Sequence, residues 1–569
     1  MWQGIPASPG IAIGRAYVLV KKEDLVIKKQ ITDPAAEKAR FYQALAETKA
    51  HIGVLIKAAH ENGRKESAEI FAAHRLLLED PDLIKTVDAR IEQEKVNAEF
   101  ALETTLNYYI NLLNQTDNMY MKERIADLKD LGRQILHFLL GKKPLTDINL
   151  KEECIIVASE LAPSDTSRLD PDKVQGFLTE LGGPTSHTAI IARSMEIPAV
   201  VGMEGITATV KDGDLLIIDG RQGTVLINPQ PEVLEEYRRR QVAEVKERRA
   251  LAVVKNLPSR TRDGQELKLL ANVGEPWELS KAVEYGADGI GLYRTEFLFM
   301  NKETLPSEDE QFEAYKEALQ NMEGKPVIIR TLDIGGDKKL PYLPPIDELN
   351  PFLGCRAIRL CLQEKELFRT QLRALYRASL YGRLRIMFPM ISGIEEFRTA
   401  RALAEEVRSE LTKEGLRLGQ VPIGIMVEIP STAILADLFA KEADFFSIGT
   451  NDLVQYTLAV DRMNERLSHL YEPFHPAVLR LIKMVLDAGH QEGIEVCMCG
   501  EMAGDPDFTP VLLGLGLQSF SMNSGSLLKV KKALNGLTLA EAKALAEKAL
   551  KMSTAAEIKN VCAQHTGKG

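Results

Sequence analysis

The chain has 569 residues, too many for one hydrophobic core, and at ~150 residues per domain it is expected to hold roughly three or four domains. Its formal net charge of −10 at pH 7, with no basic stripe, argues against nucleic-acid binding and is compatible with a small basic protein partner drawn in by charge. Six cysteines scattered without paired metal-type spacing, an N-terminus lacking signal-peptide regions, and no apolar run near the ~20 residues of a membrane span predict a soluble, cytoplasmic protein that is not exported.

Residues 7–20 read as a glycine turn followed by a short strand. From about Pro34 to Leu140 glycines are few and apolar residues recur at three- and four-residue spacing (Ile70, Phe71, His74, Leu77, Leu78; Leu131, Ile135, Leu139), which predicts two helical hairpins. Strand patterns return at Cys154–Ala158, Val174–Phe177, Ala199–Val201, Leu215–Ile218 and Thr224–Ile227, so the helical block interrupts one α/β domain. A block of this size either stabilises its host or forms a docking face, and its residues favour neither.

Within the α/β domain, Gly182-Gly183-Pro184-Thr185-Ser186-His187-Thr188 places a histidine on a tight turn where the apolar helix of Ala189-Ile190-Ile191-Ala192 begins. Glycines permit the turn, Thr185 and Ser186 offer cap hydroxyls, and the free N–H groups of a first helical turn favour an anion. The positive helix end disfavours protonation of the imidazole, leaving a neutral nitrogen able to act as nucleophile. On these residues alone, His187 either caps a helix or carries a phosphoryl group. Residues 231–255, charged and helical, read as an interdomain connector or as an ordinary solvated helix.

The second half carries eight apolar strands, at Leu267–Val273, Gly289–Arg294, Val327–Asp333, Leu384–Met390, Ile423–Ile429, Phe445–Asn451, Ile494–Cys499 and Phe520–Asn523, separated by helical stretches such as Trp277–Gly286, Glu308–Met322 and Ala477–Glu492. Eight strand–helix units over roughly 300 residues predict a (β/α)8 barrel, whose active site lies at the C-terminal strand ends. Those ends carry Arg294 and Glu296, Arg330 and Asp333, Glu428, Asn451 and Asp452, Cys499 and Glu501, with Arg462 shortly after. Guanidinium forks suit a dianionic phosphate, and Glu428 with Asp452 suits Mg2+, a hard cation content with one or two carboxylates. Any one of these residues is ordinarily a buried ion pair; gathered on one face, that explanation weakens. Cys497 and Cys499 share a strand face, Cys499 nearer the rim, where a thiol can act as acid or nucleophile.

Gly-Gly-x-Thr-Ser-His at 182–187, Tyr293-Arg294-Thr295-Glu296-Phe297, the run from Arg330 to Lys338, Asn350-Pro351-Phe352-Leu353-Gly354, Gly449-Thr450-Asn451-Asp452-Leu453 and Met498-Cys499-Gly500-Glu501 resemble enzyme I of the bacterial phosphoenolpyruvate-dependent sugar phosphotransferase system. Ala162-Pro163-Ser164-Asp165-Thr166 and Met121-Lys122-Glu123-Arg124 extend the resemblance across nearly the whole chain. It implies a multidomain α/β protein: a swivelling phosphohistidine domain at 1–20 and 145–230, an inserted helical subdomain at 21–144 docking the carrier protein HPr, a linker helix at 231–260, and a phosphoenolpyruvate-binding, dimerising TIM barrel at 261–569. It further implies phosphoenolpyruvate held by Arg294, Arg330 and Arg462 with Asn451, Asp452 and Arg356 in support, and Mg2+ on Glu428 and Asp452. His187 would be phosphorylated on Nε2 and pass the group to a histidine of HPr, with Cys499 protonating the enolate to pyruvate.

Pro184, Lys339 and Asn523-Ser524 depart from the family pattern, where arginine, an acidic residue and Ser-Ala are expected; none removes a catalytic group. Pyruvate phosphate dikinase and phosphoenolpyruvate synthase need a nucleotide-binding domain for which residues before 150 leave no room, and the nitrogen-system paralogue carries an extra sensory domain. A metal-dependent lyase acting on pyruvate enolates, with a first half that only binds, is the alternative from another class, and it leaves His187 without a task.

Overall fold

The computed structural model describes residues 2–19, 26–61, 65–114, 119–142, 150, 152–166, 169–183, 186–195, 197–276, 278–300, 304–335, 340, 342 and 348–565; the side chains of a few helical residues, His187 among them, also lie outside this description. Pro184, Thr185, Trp277, the segment 336–339 with Lys339, and the side chains of Met121-Lys122-Glu123-Arg124 fall outside it too. Two compact units make up the chain, Met1–Glu247 and Arg248–Gly569.

The first unit is built on a mixed eight-stranded sheet of β1 (Trp2–Gln3), β2 (Ile5–Ser8), β3 (Ile11–Leu19), β4 (Cys154–Ala158), β5 (Val174–Thr179), β6 (Ala199–Val201), β7 (Leu215–Asp219) and β8 (Thr224–Ile227), ordered β1-β8-β7-β3-β4-β5-β6-β2. Its centre, β3 to β6, is parallel, and the all-buried Cys-Ile-Ile-Val-Ala of β4 is what a strand covered on both faces requires. Between β3 and β4 lie α1 (Pro34–Glu61), α2 (Lys65–Leu77), α3 (Pro81–Glu94), α4 (Ala98–Asn114) and α5 (Met119–Leu139).

The described residues thus hold five helical segments where apolar spacing predicts two hairpins. Asp80 and Pro81 make the extra break: the Asp80 carboxylate accepts from the backbone N–H groups of Asp82 at 2.8 Å and Leu83 at 3.4 Å, and proline opens α3. From there Leu83, Val87 and Ile91 form a buried stripe at four-residue spacing. His74, read as part of an apolar face, is fully buried with Nε2 3.0 Å from Asp127 Oδ1.

A buried polar joint ties the helices to their host. Asp130 of α5 accepts from Ser164 Oγ at 2.5 Å and from Arg133 Nη2 at 2.8 Å, and Ser164 belongs to the short helix α6 (Pro163–Thr166) that follows β4. Next come α7 (His187–Ser194), α8 (Ile206–Thr209) and α9 (Pro231–Lys255). The start of α9 is docked on the sheet rather than wholly solvated: Arg240 Nη2 lies 2.9 Å from Asp219 Oδ2, and Gln241 Nε2 donates to the carbonyl of Ile11 at 2.9 Å.

The second unit is a closed parallel barrel of β9 (Lys268–Val273), β10 (Ile290–Tyr293), β11 (Pro326–Arg330), β12 (Arg383–Phe388), β13 (Ile423–Val427), β14 (Phe445–Ile448), β15 (Glu495–Met498) and β16 (Ser519–Met522). Strand parity explains its interior. Val327, Ile329, Ile425 and Val427 pack in the outer core with the helices, while Leu292, Ile328, Met387, Met426, Phe445 and Cys499 form a separate inner cluster. Two residues beyond the inward Leu292, Ile328 and Met426 stand Arg294, Arg330 and Glu428, so the same alternation carries these groups to the rim. Several strands end earlier than their apolar runs suggest, because the backbone leaves the ladder where polar side chains begin. Met390 turns with φ +57°, and Asn451 and Asp452 already belong to the helix Thr450–Leu458.

At the opposite mouth, Glu495 receives Lys268 Nζ at 2.8 Å, Arg385 Nη1 at 2.8 Å and Ser519 Oγ at 2.9 Å, joining β15 to β9, β12 and β16. Burial alone would raise its pKa, but Lys268 and Arg385 outweigh burial and bring it down to about 2. A depressed carboxylate stabilises the fold above its ordinary value of 4.5, and that contribution fades as pH falls through about 2. Glu495→Gln is therefore expected to cost about 2 kcal/mol at pH 7, a buried-pair loss discounted because a quarter of the side chain is exposed. Thermal unfolding of both proteins across pH checks this: the gap should close toward pH 2.

Candidate active site

In the first unit, the chain leaves β5 through a turn closed by Thr179 Oγ1 donating to the Leu181 carbonyl at 2.8 Å. Gly182 follows at φ +112°, where a Cβ would stand 2.9 Å from Ser186 Oγ, so this position demands glycine. Ser186 caps α7, its Oγ accepting from the Ala189 N–H at 3.4 Å, and the helix opens on His187 itself. Ala189 and Ala192 are buried and anchor that helix, of which His187 is the first residue.

At the barrel rim, an alternating chain of charges runs across the mouth. Arg330 pairs through Nη2 with Glu296 and through Nη1 with Asp333 at 2.8 Å. Arg356 Nη2 lies 2.8 Å from the other oxygen of Asp333 and 3.5 Å from Asp452 Oδ2, and Arg462 Nη1 is 3.7 Å from Asp452 Oδ1. Arg356 Nη1 also donates to Tyr456 OH at 3.3 Å. Glu428, 2% exposed, accepts from the Met390 N–H at 2.6 Å. Arg294 is exposed at the rim, its field reaching Cys499. Asn451 braces two loops: its Oδ1 accepts from the Glu501 N–H at 3.0 Å, and its Nδ2 donates to Glu501 Oε1 at 3.3 Å.

Buried atoms left without hydrogen bonds describe what this mouth can take. Arg330 Nε, Arg356 Nε, Thr331 Oγ1 and Thr450 Oγ1 are donors without partners, which suits an oxygen-rich anion. Asp452 Oδ1 is an acceptor in the same condition. Burial, then Asp452 and Asp333, push the Glu428 carboxyl up to about 8 against the pull of Arg330 and Arg356. Two crowded carboxylates, one with an orphaned oxygen, fit a hard divalent cation that takes its remaining ligands from water and substrate. Among the described residues no group of three or more His, Cys, Asp or Glu side chains is gathered for a metal.

Cys499 lies beneath the rim, 4% exposed. Burial pushes its thiol up, with Arg330 and Arg294 pulling the other way, so it holds its proton near neutral pH. Asn272 Nδ2 donates to the Cys499 carbonyl at 2.9 Å and itself accepts from Ser521 Oγ at 2.6 Å, which fixes the backbone there.

Three segments of the chain match domains of PEP-utilising enzymes: the N-terminal domain at residues 3–124, the mobile domain at 150–223 and the PEP-binding domain at 248–539. The chain is 49% identical over 565 residues to the phosphoenolpyruvate-protein phosphotransferase of Staphylococcus carnosus, covering 99% of each chain. It is 50% identical over 557 residues to the protein of that name from Bacillus subtilis, covering 98% of each. This chain belongs to the phosphoenolpyruvate-protein phosphotransferase family.

As a member of that family it is a phosphotransferase, and a reading of strand ends alone leaves out how its rim residues pair and which side chains support them. Glu296 and Asp333 stand inside recognised motifs, yet only the fold shows that they neutralise Arg330 and Arg356. Tyr456 and Asn272 carry no sequence signal at all. Asn523, a departure from the phosphotransferase pattern, caps the helix Ser524–Asn535 by accepting from the Ser526 N–H at 3.0 Å.

Proposed function

We propose that this chain takes the phosphoryl group of phosphoenolpyruvate onto His187 and hands it to a histidine of a small HPr-type carrier protein, releasing pyruvate. The observation that carries this reading is the rim itself, where partnerless arginine and threonine donors surround two crowded carboxylates above a protonated thiol. Arg294, Arg330 and Arg462 would grip the phosphate, Arg356 and Asn451 would hold the loops around it, and Glu428 with Asp452 would hold Mg2+. When bound, that ion offsets substrate charge. Electrostatic holding of this kind is most of what phosphoryl transfer asks of a protein.

For the chemistry, His187 must reach the rim. A lone pair on its ring nitrogen, Nε2 by family analogy, forms the bond to phosphorus as the bond from phosphorus to the enol oxygen breaks and its electron pair stays on the enolate. Cys499 then gives its proton to the enolate carbon, and the thiolate takes one back from solvent. No described helix is long and apolar enough to cross a membrane, and six free cysteines suit a reducing compartment, which supports a cytoplasmic site. A homodimer through the barrel belongs to the same reading, with exposed Ile434, Leu435 and Leu438 offering an apolar face.

A rapid-mixing experiment with phosphoenolpyruvate and Mg2+, without nucleotide or carrier, tests it. One pyruvate per chain should appear in a burst and then stop until HPr is added. Continuous release without an acceptor, or a need for nucleotide, contradicts the reading. Cys499→Ala should slow the burst at least a hundredfold while leaving the affinity for phosphoenolpyruvate within a fewfold, since a general acid of this kind contributes about 10²–10⁴ in rate.

A further inference from the structure

The two carboxylates that share Arg356 are held differently. Asp333, 3% exposed, receives Arg330 and Arg356 on separate oxygens at 2.8 Å each. Asp452 receives Arg356 and Arg462 only at 3.5 and 3.7 Å, and its Oδ1 accepts no hydrogen bond. The loop bearing Asp333 is pinned to the segment bearing Arg356. Gln371 Oε1 accepts from the Leu332 N–H at 2.9 Å, and the Ala357 N–H donates to the Ile334 carbonyl at 2.9 Å. Directly after Ile334, Gly335 stands at φ +117°, where a Cβ would come within 2.3 Å of Arg356 Cβ, so that glycine lets the two segments close on each other.

We propose that Asp333 is a positioning residue for phosphoenolpyruvate: it clamps Arg330 and Arg356 in register and, by satisfying Arg356, keeps Asp452 available to a cation. The proposal rests on the reading of the rim as the phosphoenolpyruvate site. Two guanidinium groups buried side by side repel each other, and a carboxylate shared between them sets both their spacing and their direction. Without it, the nearest carboxylate to Arg356 is Asp452, whose capture would remove a cation ligand. Loss of Asp333 therefore weakens phosphate binding and cation binding together, although Asp333 is placed on neither ligand.

Calorimetric titration of phosphoenolpyruvate into His187→Ala protein, which cannot accept the phosphoryl group, tests this with and without Mg2+. Adding Asp333→Asn or Asp333→Glu is expected to weaken binding at least tenfold and to shrink the factor by which Mg2+ tightens it. The Glu variant keeps the charge and moves it by one methylene, so a merely charge-balancing Asp333 leaves its affinity and its Mg2+ response within twofold of the parent; that result overturns the proposal, as does parent-like binding by Asp333→Asn. If Asp333→Asn does not fold, Asp333→Glu decides alone. Failure of the His187→Ala parent to bind phosphoenolpyruvate is a separate outcome that overturns the reading of the rim, and this proposal with it.

Discussion

Arg330→Met is expected to lower kcat/KM for phosphoenolpyruvate by about a thousandfold, the upper range for losing one preorganised charge-stabilising donor. Methionine matches the length of the arginine stem but removes the two ion pairs of its guanidinium, to Glu296 and to Asp333. The arginine is fully charged in place: burial would lower its pKa, but Asp333, Glu296 and Glu428 more than offset that and raise it. Its loss breaks two buried ion pairs, to Glu296 and to Asp333, while Asp333 keeps Arg356, and is expected to cost about 3–5 kcal/mol of barrel stability. Arg330→Lys keeps a charge but not the fork, and should fall between wild type and Arg330→Met in activity. Steady-state kinetics together with thermal unfolding separate the two effects: the Lys variant should recover most of the stability while remaining well below wild-type turnover.

Much of this site follows from strand parity, which is visible in a linear sequence. Once Ile328 and Met426 are taken as inward-facing, Arg330 and Glu428 must rise above them at the rim, and parallel strands buried on both faces are easy to see as apolar runs. What does not follow is partner choice. Asp333 and Arg356 meet across a loop, and nothing between them in sequence says that their segments close through Gly335. Asn272 supports Cys499 from a strand far away in the chain, through a contact that exists only because β9 and β16 complete the barrel. In the helical block, the Asp80-Pro81 signal for a new helix was legible, but continuous apolar spacing on either side masks it. β1, at two residues, is too short to show any period.

The larger effect belongs to His187. Its replacement by alanine should abolish phosphoryl acceptance, because no other group on the Gly182–Thr188 turn offers a neutral nitrogen nucleophile, and a covalent step without its nucleophile has no partial substitute. Ser186 still caps α7 and the buried Ala189 and Ala192 are untouched, so the variant should fold as the wild type does. Its barrel keeps every rim residue and should still bind phosphoenolpyruvate. Loss of transfer with retained binding is the pattern that separates a phosphoryl carrier from a histidine that merely starts a helix.

The most direct measurement incubates the purified chain with phosphoenolpyruvate carrying a labelled phosphate and Mg2+, without nucleotide, and maps the label by peptide mass spectrometry. Acid-labile, base-stable label on the peptide containing His187, absent from His187→Ala, is the predicted result. An unlabelled wild type, or equal labelling of His187→Ala, would contradict the claim that this chain carries the phosphoryl group on His187.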